Sequence, residues 1–291
     1  MSEPHPDPER VRAEQRATWD SVAPGWLEWQ DVFERGGAAL TARLLALGGV
    51  RPGHRVLDVG TGLGEPAISA ARSVGPTGSV LGIDVSAEMI KRAAERAGQL
   101  STVEFQVAAP EAVDEPGGFD VVLSRLCLMF LPDRVRALAA IRRLLRPGGV
   151  LAAAVWADAA RVPVVGLPFA VLTERLDLPT AQGTTGPYSM ADPDTCRTEL
   201  TSAGYTDVSV TEERFEFWMR STDEYVRFTR GILPAPVRRM LRARFGSEQD
   251  PVTWQEVAER AARFGTGDGR LVLPSTALCL RAVAPAGTAG S

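Results

Sequence analysis

Three glycines at alternate positions, Gly60, Gly62 and Gly64, follow a short apolar run that carries Asp58, and Glu65 comes directly after them. Bare backbone at a strand-to-helix corner lets a ligand approach main-chain atoms and a helix N-terminus. Several cofactors use such a corner, so the neighbouring charges have to discriminate. A dinucleotide fingerprint counted from Gly60 needs a small residue where Glu65 stands. Asp58 beside the corner repels a pyrophosphate and attracts an ammonium group. A second acid, Asp84 in "GIDVS", ends the next β-prone run, where a carboxylate can take hydrogen bonds from a ribose diol. The pattern favours a ligand with a cationic end.

Other chemistries have little to stand on. The chain has only two histidines, His5 and His54, and neither lies where strands end at their C-terminal edge, so a catalytic histidine is not expected. Cys127, Cys196 and Cys279 are far apart without C-x-x-C spacing, which suits reduced thiols in a cytoplasmic protein and no metal site. A net charge of -4 gives no electrostatic footprint for a polyanion. If a proton must be removed, Glu28, Glu34, Tyr188 and Tyr225 are the candidate ionisable groups, with solvated or structural roles as the alternative. Trp29 and Phe33 near the N-terminus, Trp156 and Phe169 in the middle, and Trp218, Tyr225 and Phe228 further on either line an apolar acceptor pocket or pack the core of a cap. The arginines of "PVRRMLRARF", residues 236–245, read as a solvated helix face.

Positioning these groups requires alternating strands and helices. Residues 55–59, 79–84, 103–107, 119–124 and 149–156 are short β-prone runs, several nearly continuous in apolar residues, as strands buried on both faces are. Residues 65–73, 87–97 and 134–145 carry helical spacing, and "RPGG" stops the last of them. With 45% apolar residues in 291, the reading is a doubly wound α/β fold: a mostly parallel seven-stranded, Rossmann-like sheet with right-handed crossovers. A helical arm occupies residues 1–35, with one amphipathic helix over 8–34, and the core runs over 36–156. A lid insertion over 157–191 holds one helix at 169–176, and the core resumes over 192–214. A substrate cap of two or three helices spans 215–269, before a last strand at 270–283 and a flexible tail. The first ten residues do not have a secretory pattern, and no apolar run reaches the length of a membrane span.

The motifs "LDVGTGLG", "GIDVSAEMI", "FDVVLSRLCLMFLPD" and "RRLLRPGG" occur in this order, preceded by "ATWDSVAPGW" and followed by "GPYSMADPDTCRTELTSAGY". In these the chain resembles the class I S-adenosylmethionine (SAM)-dependent methyltransferases, specifically the group similar to ubiquinone/menaquinone-biosynthesis methyltransferases. The resemblance implies that Asp58 orients the methionine amine, that Gly60, Thr61 and Gly62 give backbone to SAM, and that Asp84 holds the ribose hydroxyls. It further implies that Val85 and Met89 sandwich the adenine, that Ser124 and Arg125 reach the methionine end, and that Trp19 or Trp26 closes over the cofactor. One position departs from the family. Where a carboxylate commonly follows the third strand and reads the adenine amine, "FQVAAPEAV" has Ala109, with Glu111 a turn later.

The implied reaction is methyl transfer from SAM to a small, mostly apolar metabolite of quinone, polyketide or terpenoid type, at O, C or N, leaving S-adenosylhomocysteine (SAH). The alternatives are a cyclase or binding protein of the same fold that keeps SAM as a structural cofactor, and an NAD-linked oxidoreductase, which Glu65 and Asp58 disfavour. The expected partner is a small-molecule substrate, without nucleic acid or membrane span, and a homo-oligomer is allowed.

Overall fold

A computed structural model describes residues 8–178 and 185–286 of the chain. Seven strands form one sheet: β1 Arg55–Val59, β2 Ser79–Asp84, β3 Val103–Val107, β4 Phe119–Arg125, β5 Leu145–Trp156, β6 Thr206–Met219 and β7 Leu271–Val283. Their spatial order is β3-β2-β1-β4-β5-β7-β6. β1 to β5 run parallel, and β7 lies antiparallel between β5 and β6. Chain order reverses between β1 and β4, so a crevice opens there beyond the strands' C-terminal ends. Four of the five residues of β1 are buried, which is why it reads as a continuous apolar run interrupted only by Asp58.

Among the described residues ten α-helices accompany the sheet: α1 Pro8–Glu28, α2 Gln30–Gly48, α3 Ala67–Val74, α4 Ala87–Ala97, α5 Arg134–Leu144, α6 Pro163–Arg175, α7 Pro193–Ser202, α8 Thr222–Gly231, α9 Ala235–Phe245 and α10 Pro251–Ala261. Side-chain caps set several starts. Ser86 accepts from the Met89 N–H at the head of α4, Asp192 caps α7, Ser221 caps α8 and Asp250 caps α10. Among the described residues no helix is long and apolar enough to cross a membrane.

The N-terminal segment differs from the single helix expected over 8–34. The chain breaks at Trp29, and α2 continues to Gly48, ending in a left-handed Gly49 with φ +63°. Gly36 and Gly37 are both buried inside α2. A Cβ on Gly36 would fall 2.4 Å from the Phe217 ring, and one on Gly48 would fall 2.7 Å from Val121. The helix lies so close against β4, β5 and β6 that side chains on this face have no room. The helix α2 therefore belongs to the sheet's covering layer, and a boundary at residue 35 cuts through it.

The other large difference concerns the cap. Phe215, Phe217 and Trp218 sit on β6 rather than in a helical insertion, and burial alternates there, with Phe215, Phe217 and Met219 buried and Glu216 and Trp218 exposed. This is the two-residue period of a strand, and the cap helices begin only at Thr222. Smaller shifts affect three further elements: α3 starts at Ala67, α6 starts six residues earlier than expected, at Pro163, and β5 starts at Leu145, so that "RPGG" lies within its irregular first part. His5 and the last residues of the tail lie outside the described residues.

Candidate functional site

At the β1/β4 crevice a pocket has a floor and three sides. Val59 and Gly60 end β1, Asp84 and Val85 end β2, and Ala108 to Glu111 follow β3. Cys127, Phe130, Leu131 and Pro132 follow β4. The helix α1 roofs it with Arg12, Gln15 and Trp19, which share one face at three- and four-residue spacing. Gly60 has φ +71°, and a Cβ there would sit 2.2 Å from Cys127 Sγ, so only glycine fits. Gly62, φ +53°, donates its N–H to Asp84 Oδ2 at 3.0 Å, and Ser86 N–H donates to Asp84 Oδ1 at 2.9 Å. The Gly60 and Thr61 N–H groups both go to the Ile83 carbonyl at 2.9 Å. With its N–H groups used internally, the corner offers bare Cα surface and carbonyl oxygens.

Asp58 is fully buried just behind the corner. Its Oδ2 accepts from the Ala67 N–H at the head of α3 at 3.0 Å, and its Oδ1 has no hydrogen-bond partner. Burial pushes its pKa up to about 7, against the opposing pull of Thr61, Arg125 and the Ala67 N–H. The Thr61 hydroxyl is also buried without a geometrically sound hydrogen bond. A buried carboxylate oxygen with a vacant acceptor position suits a cationic donor brought in by a ligand. Asp84 too is raised above the ordinary carboxylate value by burial, partly offset by its two N–H donors.

Of the residues expected around a cofactor, Trp19, Gly60, Asp84, Val85 and Ala109 line the pocket, with Thr61 and Gly62 in the turn beneath and Asp58 on β1 behind it. Four others lie elsewhere. Met89 is buried with Val22, Ala23 and Leu63 under α1, in a small cluster that Trp19 and Trp26 pack against. Trp26 stacks on Phe33 with centroids 3.9 Å apart, beyond the pocket lining. Ser124 is buried and donates to the Val59 carbonyl at 2.9 Å. Arg125 bonds Thr41 at 2.8 Å and faces Glu34 at 3.7 Å.

The candidate proton acceptors are also re-placed. Glu28 is exposed on the last turn of α1. Glu34 is held between Arg96 and Arg125, at 3.4 and 3.7 Å, and burial raises its pKa. The Tyr225 hydroxyl faces the Pro163 and Val164 carbonyls at 3.0 and 3.1 Å, a structural tie with its pKa raised by burial. The Tyr188 hydroxyl is buried without a partner, beside Phe169, and burial raises its pKa as well.

Among the aromatics, Trp156 stacks on Phe215 inside the sheet's core, and Trp218 is 45% exposed under the Arg270 guanidinium, so neither faces the pocket. Phe169 is 39% exposed. A continuous run does leave the pocket: Phe130 meets Trp19, Trp19 meets Trp26, Trp26 stacks on Phe33, and Phe33 meets Phe228, which also touches Trp29 and Tyr225. Sequence reasoning missed Arg12 and Gln15, whose signal is the 12/15/19 helical spacing. It also missed Cys127, Phe130 and Pro132, which stand in the recognised motif after β4.

A family model described as a methyltransferase domain matches residues 51–168, the stretch from just before β1 into α6 that supplies every wall of the pocket except its roof. Over residues 51–168 the chain is similar to a methyltransferase domain. The domain's curated relatives include a ubiquinone/menaquinone biosynthesis C-methyltransferase of Ectopseudomonas mendocina, 37% identical over 150 residues, which cover 50% of this chain and 59% of that protein. They also include a nocamycin O-methyltransferase of Saccharothrix syringae, 38% identical over 110 residues, 37% of this chain and 39% of that one. The chain thus spans about half the length of these relatives. Among solved structures, phosphoethanolamine N-methyltransferase 2 of Haemonchus contortus, in complex with S-adenosyl-L-methionine, aligns with a TM-score of 0.57 at 20% identity, over 94% of this chain and 60% of that chain. At that identity the likeness is one of fold. The sheet extends beyond residue 168 through β6 and β7, and the pocket is closed by α1, which lies outside the matched stretch.

Proposed function

We propose that this protein is a SAM-dependent methyltransferase acting on a small, mostly apolar metabolite of quinone, polyketide or terpenoid type, at oxygen, carbon or nitrogen. The observation that carries the reading is Asp58: a carboxylate buried at the glycine corner, with one oxygen unpartnered, fits the ammonium group of a bound methionine moiety. Asp84 at the end of β2 is placed for ribose hydroxyls, and Val85 with Ala108 and Ala109 offers a flat apolar wall for a purine. Cofactor bound there supplies an electrophilic methyl group on a sulfonium. The protein's own contribution is to align an acceptor and exclude water, since an in-line displacement gains most from orientation and a dry site.

Trp19 and Phe130, the two aromatic side chains among the pocket-lining residues, support an apolar acceptor. None of Glu28, Glu34, Tyr188 and Tyr225 lines the pocket, which supports an acceptor that ionises by itself or one needing no base. The name of the nocamycin enzyme supports a role in secondary metabolism. Free Cys196 and Cys279, buried with thiols pushed up to about 12 and about 11, support a reducing, cytoplasmic setting.

The test is calorimetric titration with SAM and SAH, followed by incubation with SAM and a panel of quinone, polyketide and terpenoid acceptors under mass spectrometry. Binding of both, with SAH and a methylated product appearing together, is the expected result. Bound SAM that stays intact while an acceptor rearranges would favour the cyclase reading. Stabilisation by NAD rather than SAM would overturn both.

A further inference from the structure

We infer that the arm helix α1 reads the cofactor's base, with the side-chain amide of Gln15 taking the place of the carboxylate that the wall after β3 lacks. The inference rests on the proposed SAM site. With Asp84 set at the ribose, the adjoining wall of Val85, Ala108 and Ala109 is the surface against which a flat heterocycle lies, and it carries no polar side chain. Hydrogen bonds to the edge of that ring have to come from somewhere else. Two groups near this end are unavailable, because Glu111 and Arg12 are committed to each other at 2.7 Å.

Gln15 remains. It lines the pocket three residues after Arg12, which is anchored at Glu111, and four before Trp19, which is anchored edge-on against Phe130. At about 1.5 Å rise per residue, Gln15 hangs between two fixed points of the same helix face. Among the described residues its amide makes no hydrogen bond to the protein. A glutamine amide offers one carbonyl acceptor and two N–H donors, and adenine offers the reverse along one edge: an exocyclic amine beside a ring-nitrogen acceptor. One amide thereby satisfies both, where a carboxylate would satisfy only the amine.

This placement has a consequence for the arm. Because the reading group stands on α1, recognition of the base and closure of α1 over the pocket are one event, held by Arg12–Glu111, Trp19–Phe130 and the Asp20–Ser86 hydrogen bond.

The test compares SAH with its des-amino analogue, in which hydrogen replaces the exocyclic amine, by calorimetry on the full chain. The unsubstituted protein should prefer SAH by about tenfold, and both Gln15→Ala and Gln15→Met should bring that ratio close to one, mainly by weakening SAH. Gln15→Met keeps the side chain's length and apolar packing, so a loss common to both variants belongs to the amide. Amide exchange over α1 should be unchanged in the Met variant without ligand. A preference for SAH that survives in both variants would overturn the inference, as would no preference in the unsubstituted protein. Absence of any SAH binding by the unsubstituted protein would instead overturn the proposed SAM site.

Discussion

Arg12 on α1 and Glu111 after β3 pair at 2.7 Å across the rim of the pocket, joining the arm to the wall that follows β3. The two side chains are 28% and 20% exposed, so the pair is neither a loose surface contact nor a dry one. Its contribution is about 1 kcal/mol or less. Glu111→Gln should therefore speed SAH release by a few-fold without changing the sheet's stability. The effect should shrink in high salt, because screening already weakens the parent's pair. Stopped-flow release at two salt concentrations checks both parts.

Asp84→Ala removes an acceptor that serves the Gly62 and Ser86 N–H groups and the proposed ribose hydroxyls. SAH affinity should fall by roughly 1.5 to 3 kcal/mol, the range for charge-assisted hydrogen bonds. Titration of the variant that gives the parent's dissociation constant would remove Asp84 from the site.

Asp58 makes stability and binding depend on pH in opposite directions. Its folded pKa of about 7 lies above the ordinary value of 3.8, so the ligand-free fold holds its proton while the unfolded chain has released it. Stability should then decline as pH rises from about 4 to about 7, by up to roughly 4 kcal/mol, and Asp58→Asn should flatten that decline. Affinity for SAH should rise through the same upper limit, since the ammonium group pairs with the ionised carboxylate. Thermal melts at pH 5 and pH 8, with and without SAH, measure both.

Tyr225→Phe tests the reassignment of a candidate base to a structural tie. The hydroxyl's shared hydrogen bond to the carbonyls of Pro163 and Val164 is buried, so its loss should cost about 1 kcal/mol. The melting temperature should fall while the rate of methyl transfer at saturation stays within about twofold. A collapse in turnover without a change in melting would return Tyr225 to the chemistry.

The pattern of apolar runs and helical spacings determined the parallel core, because strands buried on both faces must be apolar throughout, and β1, β2, β3 and α4 stand where that pattern places them. The glycine corner with Asp58 and Asp84 was legible for a related reason: their roles depend on local backbone geometry that a few adjacent residues determine. Only the tertiary structure decided what packs from a distance. Phe215 to Met219 looks like cap until β7 pairs with it. Met89 and Val85 share an apolar character suited to a ligand or a core, and the position of α1 assigns Met89 to the core and Val85 to the pocket. Gln15 is marked in the sequence only by its 12/15/19 helical spacing, which an exposed helix face and a pocket roof share until the helix is docked.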